Sequence, residues 1–86
     1  LDRKETGDIN VFPNPAGNFV NVSAELADDT QITLMSITGQ VVSTVQFGET
    51  KTGNLGRIEV SQLKSGIYFL RFENGDYLET VRFVKQ

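Results

Sequence analysis

Eighty-six residues make one domain in which roughly 60 to 68% of the unfolded chain's surface can be buried, enough for a modest core and too little for a deep active site. The 38% hydrophobic and 22% charged fractions exclude a disordered chain, and a net charge of −3 without any Lys/Arg cluster excludes a phosphate-gripping nucleic-acid surface. With no cysteine there is no disulfide framework and no thiolate metal site, and no apolar run approaches the roughly 18 residues that span a bilayer.

The chain starts with Leu1-Asp2-Arg3-Lys4-Glu5-Thr6-Gly7-Asp8, charged throughout and without an export signal of its own. Residues 1–9 therefore read as a linker cut from a longer chain, and residues 10–86 as the folded domain. From there the apolar residues alternate with polar ones, a period of two that predicts strands and no helix of useful length. A short extended piece at 9–12 comes first. Residues 18–25 place Val20, Val22 and Ala24 on one face, 30–36 place Ile32 and Leu34, 41–47 place Val41, Val45 and Phe47, and 57–61 place Ile58 and Val60. Two further strands, 67–73 and 77–84, bring the count to seven.

Between them stand Asp28-Asp29, Thr38-Gly39, the stretch 48–56, Lys64-Ser65-Gly66 and Asn74-Gly75, all turn chemistry. Asn74-Gly75 between alternating hydrophobics predicts a hairpin with a type I′ turn. Seven short strands at this spacing predict an all-β, immunoglobulin-like antiparallel sandwich. Its expected aromatic anchors are Phe12, Phe47, Phe69, Phe72 and Phe83. Tyr68, just after a turn glycine, is expected to pack its ring inside and hydrogen-bond back across a corner.

Catalytic chemistry has little to stand on. Histidine and cysteine are absent, which removes the commonest general base and the commonest small-enzyme nucleophile. Asp28 and Asp29 lack the alternating ligand series of a calcium loop and read as a solvated turn. Glu73, Asp76 and Glu79 read as solubilising charges around a hairpin. The glycosylation sequon Asn21-Val22-Ser23 falls in mid-strand, and no glycine cluster forms a phosphate cradle before a helix. The chain is expected to be no enzyme and to need no cofactor or metal.

Three stretches carry more information than a plain sandwich needs. In Val11-Phe12-Pro13-Asn14-Pro15 each proline fixes φ and holds its predecessor extended, giving a stiff lead into the first long strand. The others are Leu34-Met35-Ser36-Ile37-Thr38-Gly39-Gln40-Val41-Val42 and Leu63-Lys64-Ser65-Gly66-Ile67-Tyr68-Phe69-Leu70-Arg71-Phe72, the latter followed by Val81-Arg82-Phe83-Val84-Lys85-Gln86. In order and spacing these resemble the type A C-terminal sorting domain of the Bacteroidetes type IX secretion system. The matching motifs are Phe12-Pro13-Asn14-Pro15, Ile37-Thr38-Gly39-Gln40, Ser65-Gly66-Ile67-Tyr68 and Arg82-Phe83-Val84-Lys85. The chain departs at Met35, where an aromatic is frequent, and at Gln86, where a second lysine is.

The resemblance implies an address, not a catalyst. Such a domain sits at the end of a larger cargo protein that reaches the periplasm by its own signal peptide. Outer-membrane translocon and receptor proteins of the type IX system then export it, and a sortase-like surface protease removes the domain, leaving the cargo on the cell surface or secreted. Cleavage is expected in residues 1–9, around Thr6, Gly7 and Asp8.

A strand that reaches the last residues raises the expectation of a docking edge, because an edge strand presents N–H and C=O groups that a receptor can continue. Recognition candidates are Gly66, Tyr68, Arg82, Phe83, Val84 and Lys85, with Arg82 and Lys85 expected on one face near Tyr68 or an exposed Ile67 or Phe69. Pro13, Asn14, Pro15, Thr38, Gly39, Asn74 and Gly75 are expected to set chain conformation. For each recognition candidate a second reading stays open, in which Tyr68, Val81 and Phe83 are core and Arg82 and Lys85 are solvated edge charges. An open edge also allows dimerisation of the isolated domain. The competing function is an accessory immunoglobulin-like binding or adhesion module of a secreted enzyme, which an exposed aromatic platform would support; the chain has no tryptophan.

Overall fold

The alternating pattern folds as two four-stranded antiparallel sheets in the computed structural model, which describes residues 9–86. In chain order the elements are β1 (Asn10–Phe12), β2 (Phe19–Ser23), β3 (Gln31–Ser36), β4 (Val41–Gln46), α1 (Phe47–Thr50), β5 (Lys51–Thr52), β6 (Leu55–Glu59), β7 (Gly66–Asn74) and β8 (Tyr77–Lys85). One sheet runs β1-β2-β6-β5 and the other β4-β3-β7-β8. The expected faces of β2, β3 and β6 meet between them: Val20, Val22, Ala24, Ile32, Leu34, Ile58 and Val60 are buried together with Phe47, Leu70, Phe72, Phe83 and Ala16. Each fully buried valine, leucine, isoleucine or phenylalanine among them contributes about 1.5–3 kcal/mol, which is how a cysteine-free sandwich holds.

Four local expectations are corrected. Val41 does not share a face with Val45 and Phe47, and is 55% exposed. The β3–β4 register shifts between Leu34 and Met35, so that Leu34 faces Ser43 while Met35 faces Val41, leaving Val42 as the extra residue of a bulge. One inserted residue flips everything beyond it to the opposite face. Phe12 and Phe69 are not core anchors. Val11 pairs with Val22 on the inner face, which turns Phe12 outward at 43% exposure. Phe69 alternates with the buried Leu70 and is half-buried on the outer face, between Met35 and Arg82.

The hairpin at residues 74–77 is present, but its centre is Gly75-Asp76 and its turn is not type I′. Asn74 pairs with Tyr77 as the last rung of the ladder, and Gly75, at φ 56°, is the only turn residue with positive φ. Asn74 stays in the strand because its side-chain amide donates to Asp29 Oδ1 at 2.8 Å and Thr30 Oγ1 at 3.3 Å.

The stretch 48–56, expected as turn, contains the last turn of α1 and the two-residue β5. Gln46 N donates to Glu49 Oε1 at 3.0 Å to start the helix, and Phe47 beneath it is fully buried. Gly56 makes this close packing possible, since a Cβ there would lie 2.7 Å from Thr50 Oγ1 and 3.1 Å from the Phe47 ring.

Candidate recognition edge

β8 lies at one edge of its sheet and pairs along its whole length with β7 alone, from Asn74↔Tyr77 to Gly66↔Lys85. Its last residues meet a second neighbour. Ala16 N donates to Val84 O at 2.7 Å, Gln86 N donates to Ala16 O at 2.9 Å, and Asn14 Oδ1 accepts Val84 N–H at 2.9 Å. Residues 14–16 thus form a strap that runs parallel to the end of β8, with Ala16 bridged to Lys85 and fully buried. Both prolines of this motif follow cis peptide bonds.

The strap also fixes the parity of the strand. Val84 directs both its N–H and its C=O away from β7, and in an antiparallel ladder that direction alternates residue by residue. Leu78, Thr80 and Arg82 therefore present their main-chain donors and acceptors on the open side, where no described strand lies beside them. This ledge is about 14 Å long at the usual rise per residue. It is bounded by the Gly75-Asp76 turn at one end and by the strap at the other.

Side chains of those three residues stand on the outer face of the sheet: Leu78 is 60% exposed, and Thr80 and Arg82 are exposed. Arg82 lies opposite Phe69, which continues across the sheet to Met35 and Val41. Next to the ledge the outer face of β7 carries Phe69 opposite Arg82, Arg71 opposite Thr80 and Glu73 opposite Leu78, with Arg71 and Glu73 paired at 3.6 Å. At the far end of the sheet the β3–β4 connection exposes Ile37. It closes through Gly39 N donating to Ser36 O and Ser36 N donating to Gln40 O, both 2.9 Å, with Thr38 Oγ 3.0 Å from Ser36 Oγ and Gly39 at φ 89°.

The structure divides the recognition candidates between the two faces. Arg82 and Lys85 do not form one face: three residues apart on a strand, they point to opposite sides. Arg82 is exposed, whereas Lys85 is 8% exposed, inward and against the strap, its Nζ donating to Gln86 O at 3.0 Å. Tyr68 and Phe83 also point inward. Their rings stack with centroids 5.8 Å apart, and Tyr68 OH donates to Lys64 O at 2.8 Å, the corner bond expected for it. Ile67, Phe69 and Val84 share the outer face, half-buried, and Gly66 opens β7 opposite Lys85. Thr6, Gly7 and Asp8, the expected cleavage region, lie outside the described residues.

The remaining candidates fall where a structural role explains them. Asp28 pairs with Lys51 at 2.6 Å and its carbonyl accepts Gly48 N–H, tying the β2–β3 loop to α1, while Asp29 holds Asn74. Val22 of the sequon is fully buried in β2. Among the described residues no group of acidic side chains is arranged to hold a metal ion, and no helix is long and apolar enough to cross a membrane. Leu78, Thr80 and Ala16 were not singled out by the sequence; the two-residue period counted back from Val84 finds Leu78 and Thr80, and no sequence signal finds Ala16.

A family model described as a secretion system C-terminal sorting domain matches residues 10–86. No curated protein and no solved structure matches the chain.

Proposed function

The chain belongs to the family of type IX secretion-system C-terminal sorting domains, and on that footing we propose that the open edge of β8 is the surface its export machinery reads. A domain of this family is a sorting signal that engages the type IX machinery and sends its protein to the cell surface or out of the cell; the family is not one of enzymes. Recognition then needs no pocket and no catalytic group. A receptor segment adds as a strand along residues 78–82, main-chain bonds supply affinity, and Leu78, Arg82 and the adjacent Phe69 supply selectivity. Tyr68, Phe83, Gly66 and Lys85 act from inside, by holding β7 and β8 in register.

The path proposed for the larger cargo is transit through the periplasm, passage of the outer membrane by the translocon, and removal of the domain by a sortase-like protease cutting within residues 1–9. The single observation that carries the proposal is the row of outward main-chain groups on Leu78, Thr80 and Arg82, left unpaired by the described strands.

Thr80→Pro in the full-length protein tests it. The Thr80 N–H faces the open edge, so proline removes no bond to β7 and the domain stays folded, as edge positions permit. Export is expected to fail for Thr80→Pro and to continue for Thr80→Ala, which keeps the N–H. A folded Thr80→Pro variant exported at the wild-type level would overturn the docking edge.

A further inference from the structure

The strap at residues 14–16 ends the ledge in a chemically specific way. Ala16 brackets Lys85 as any parallel strand residue would, donating to Val84 O and accepting from Gln86 N. One step further back, a regular parallel ladder would bring the main-chain carbonyl of residue 14 to the Val84 N–H. The acceptor found there is the side-chain Oδ1 of that same residue, at 2.9 Å. Asn14 substitutes its side-chain amide for its own main chain, and the backbone is free to leave the edge at that point. Pro13 and Pro15 fix φ on either side of Asn14; in the ladder set by Ala16 their positions face away from β8 and take no bond from it.

We infer that Asn14 is a positioning residue that sets the register of strand addition: by occupying the Val84 N–H it confines an incoming receptor strand to residues 78–82. The inference rests on the docking-edge reading and adds to it a stop at one end. The other end already has one, because β8 begins immediately after the Gly75-Asp76 turn. Without the Asn14 acceptor the outward N–H of Val84 joins the ledge. A two-residue slip then becomes possible, which keeps every side chain on its face but matches it to the wrong partner. Ala16 is buried with the core whereas Asn14 is exposed, so the stop can be removed without dismantling the strap.

The test has a structural arm on the 86-residue chain and a recognition arm on the full-length protein in its own host. Amide hydrogen exchange of Val84 is expected to accelerate about tenfold in Asn14→Ala, the weight of one lost hydrogen bond, while Val81 and Phe83 stay protected. Asn14→Asp retains an acceptor and is expected to keep Val84 protected. Asn14→Leu, similar in volume and without an acceptor, serves if Asn14→Ala does not fold. In cells, a photo-crosslinking p-benzoylphenylalanine is placed at position 80 or 84. Capture of a machinery protein is expected from position 80 and not 84 in the native background, with capture from position 84 appearing in Asn14→Ala or Asn14→Leu. Absence of any capture from position 80 overturns the docking edge itself. Capture from position 80 that does not spread to 84 when Asn14 is replaced, or unchanged Val84 exchange, overturns the role of Asn14 and leaves the docking edge standing.

Discussion

Tyr68 and Phe83 face each other across β7 and β8 and stack at 5.8 Å, and the Tyr68 hydroxyl is spent on the Lys64 carbonyl four residues back. One side chain thereby ties three things together: the last strand, the strand it pairs with, and the corner that feeds them. The same geometry turns the Tyr68 ring inward against Phe83 and leaves it half-buried.

Tyr68→Phe keeps the ring and loses the corner bond, and is expected to cost about 0.5–1.5 kcal/mol of unfolding free energy. Phe83→Ala empties a fully buried site and is expected to cost about 3–5 kcal/mol, a large share of what a domain this small has to lose. Urea titrations of both variants check the order. Export should follow stability for this pair, with Tyr68→Phe close to normal.

Arg82 and Lys85 separate the other way. Arg82 stands exposed on the ledge, and Arg82→Ala is expected to change stability by less than about 0.5 kcal/mol while weakening export. Lys85 buries its stem against the strap, so Lys85→Ala is expected to destabilise by about 0.5–3 kcal/mol and Lys85→Met, which keeps the stem, by less. Melting curves set beside secretion levels distinguish the two residues. An Arg82→Ala variant secreted normally would count against a side-chain role for the ledge.

The split between these two charges shows what the sequence carries and what it does not. A period of two puts positions 82 and 85 on opposite faces, a fact available from spacing alone once the strand is accepted. So were the buried rows of β2, β3 and β6, where an apolar residue recurs at every second position. The bulge that turns Val41 outward was not available, because the hydrophobic run Val41-Val42 fits either face and only the pairing with Met35 decides. Nor was the strap: Asn14 and Val84 are 70 positions apart, and nothing in either residue type announces the contact. Helix α1 is hidden for a different reason, since four residues are too few to show a 3.6 period, and its presence depends on Phe47 finding a place in the core.

Gly56 gives that helix a direct test. A methyl group there meets Thr50 Oγ1 at 2.7 Å and the Phe47 ring at 3.1 Å, and the ring is enclosed by the core. Gly56→Ala is therefore expected to destabilise by about 1–3 kcal/mol through overpacking, although alanine suits a strand better than glycine does. Combining it with Thr50→Ala removes one of the two obstacles, and a double-mutant cycle in urea should return a coupling between positions 50 and 56 well outside error. A neutral Gly56→Ala would mean that α1 does not pack as described.

The turn that bounds the ledge is open to the same kind of measurement. Gly75 holds φ at 56°, where a side chain costs about 1–2 kcal/mol, so Gly75→Ala is expected to destabilise by that amount. Asn74→Ala removes the two side-chain bonds to Asp29 and Thr30 and should cost about 1 kcal/mol, without loosening the main-chain pairing of residue 74 with Tyr77. An I′ turn centred on Asn74-Gly75 would predict instead that Asn74→Gly stabilises by relieving a positive φ at residue 74. With Asn74 in extended conformation at the end of β7, Asn74→Gly is expected to be the more damaging of the two replacements at this position, since it adds backbone freedom to the same lost bonds. Urea midpoints for Asn74→Ala and Asn74→Gly decide between the two turns by their order alone.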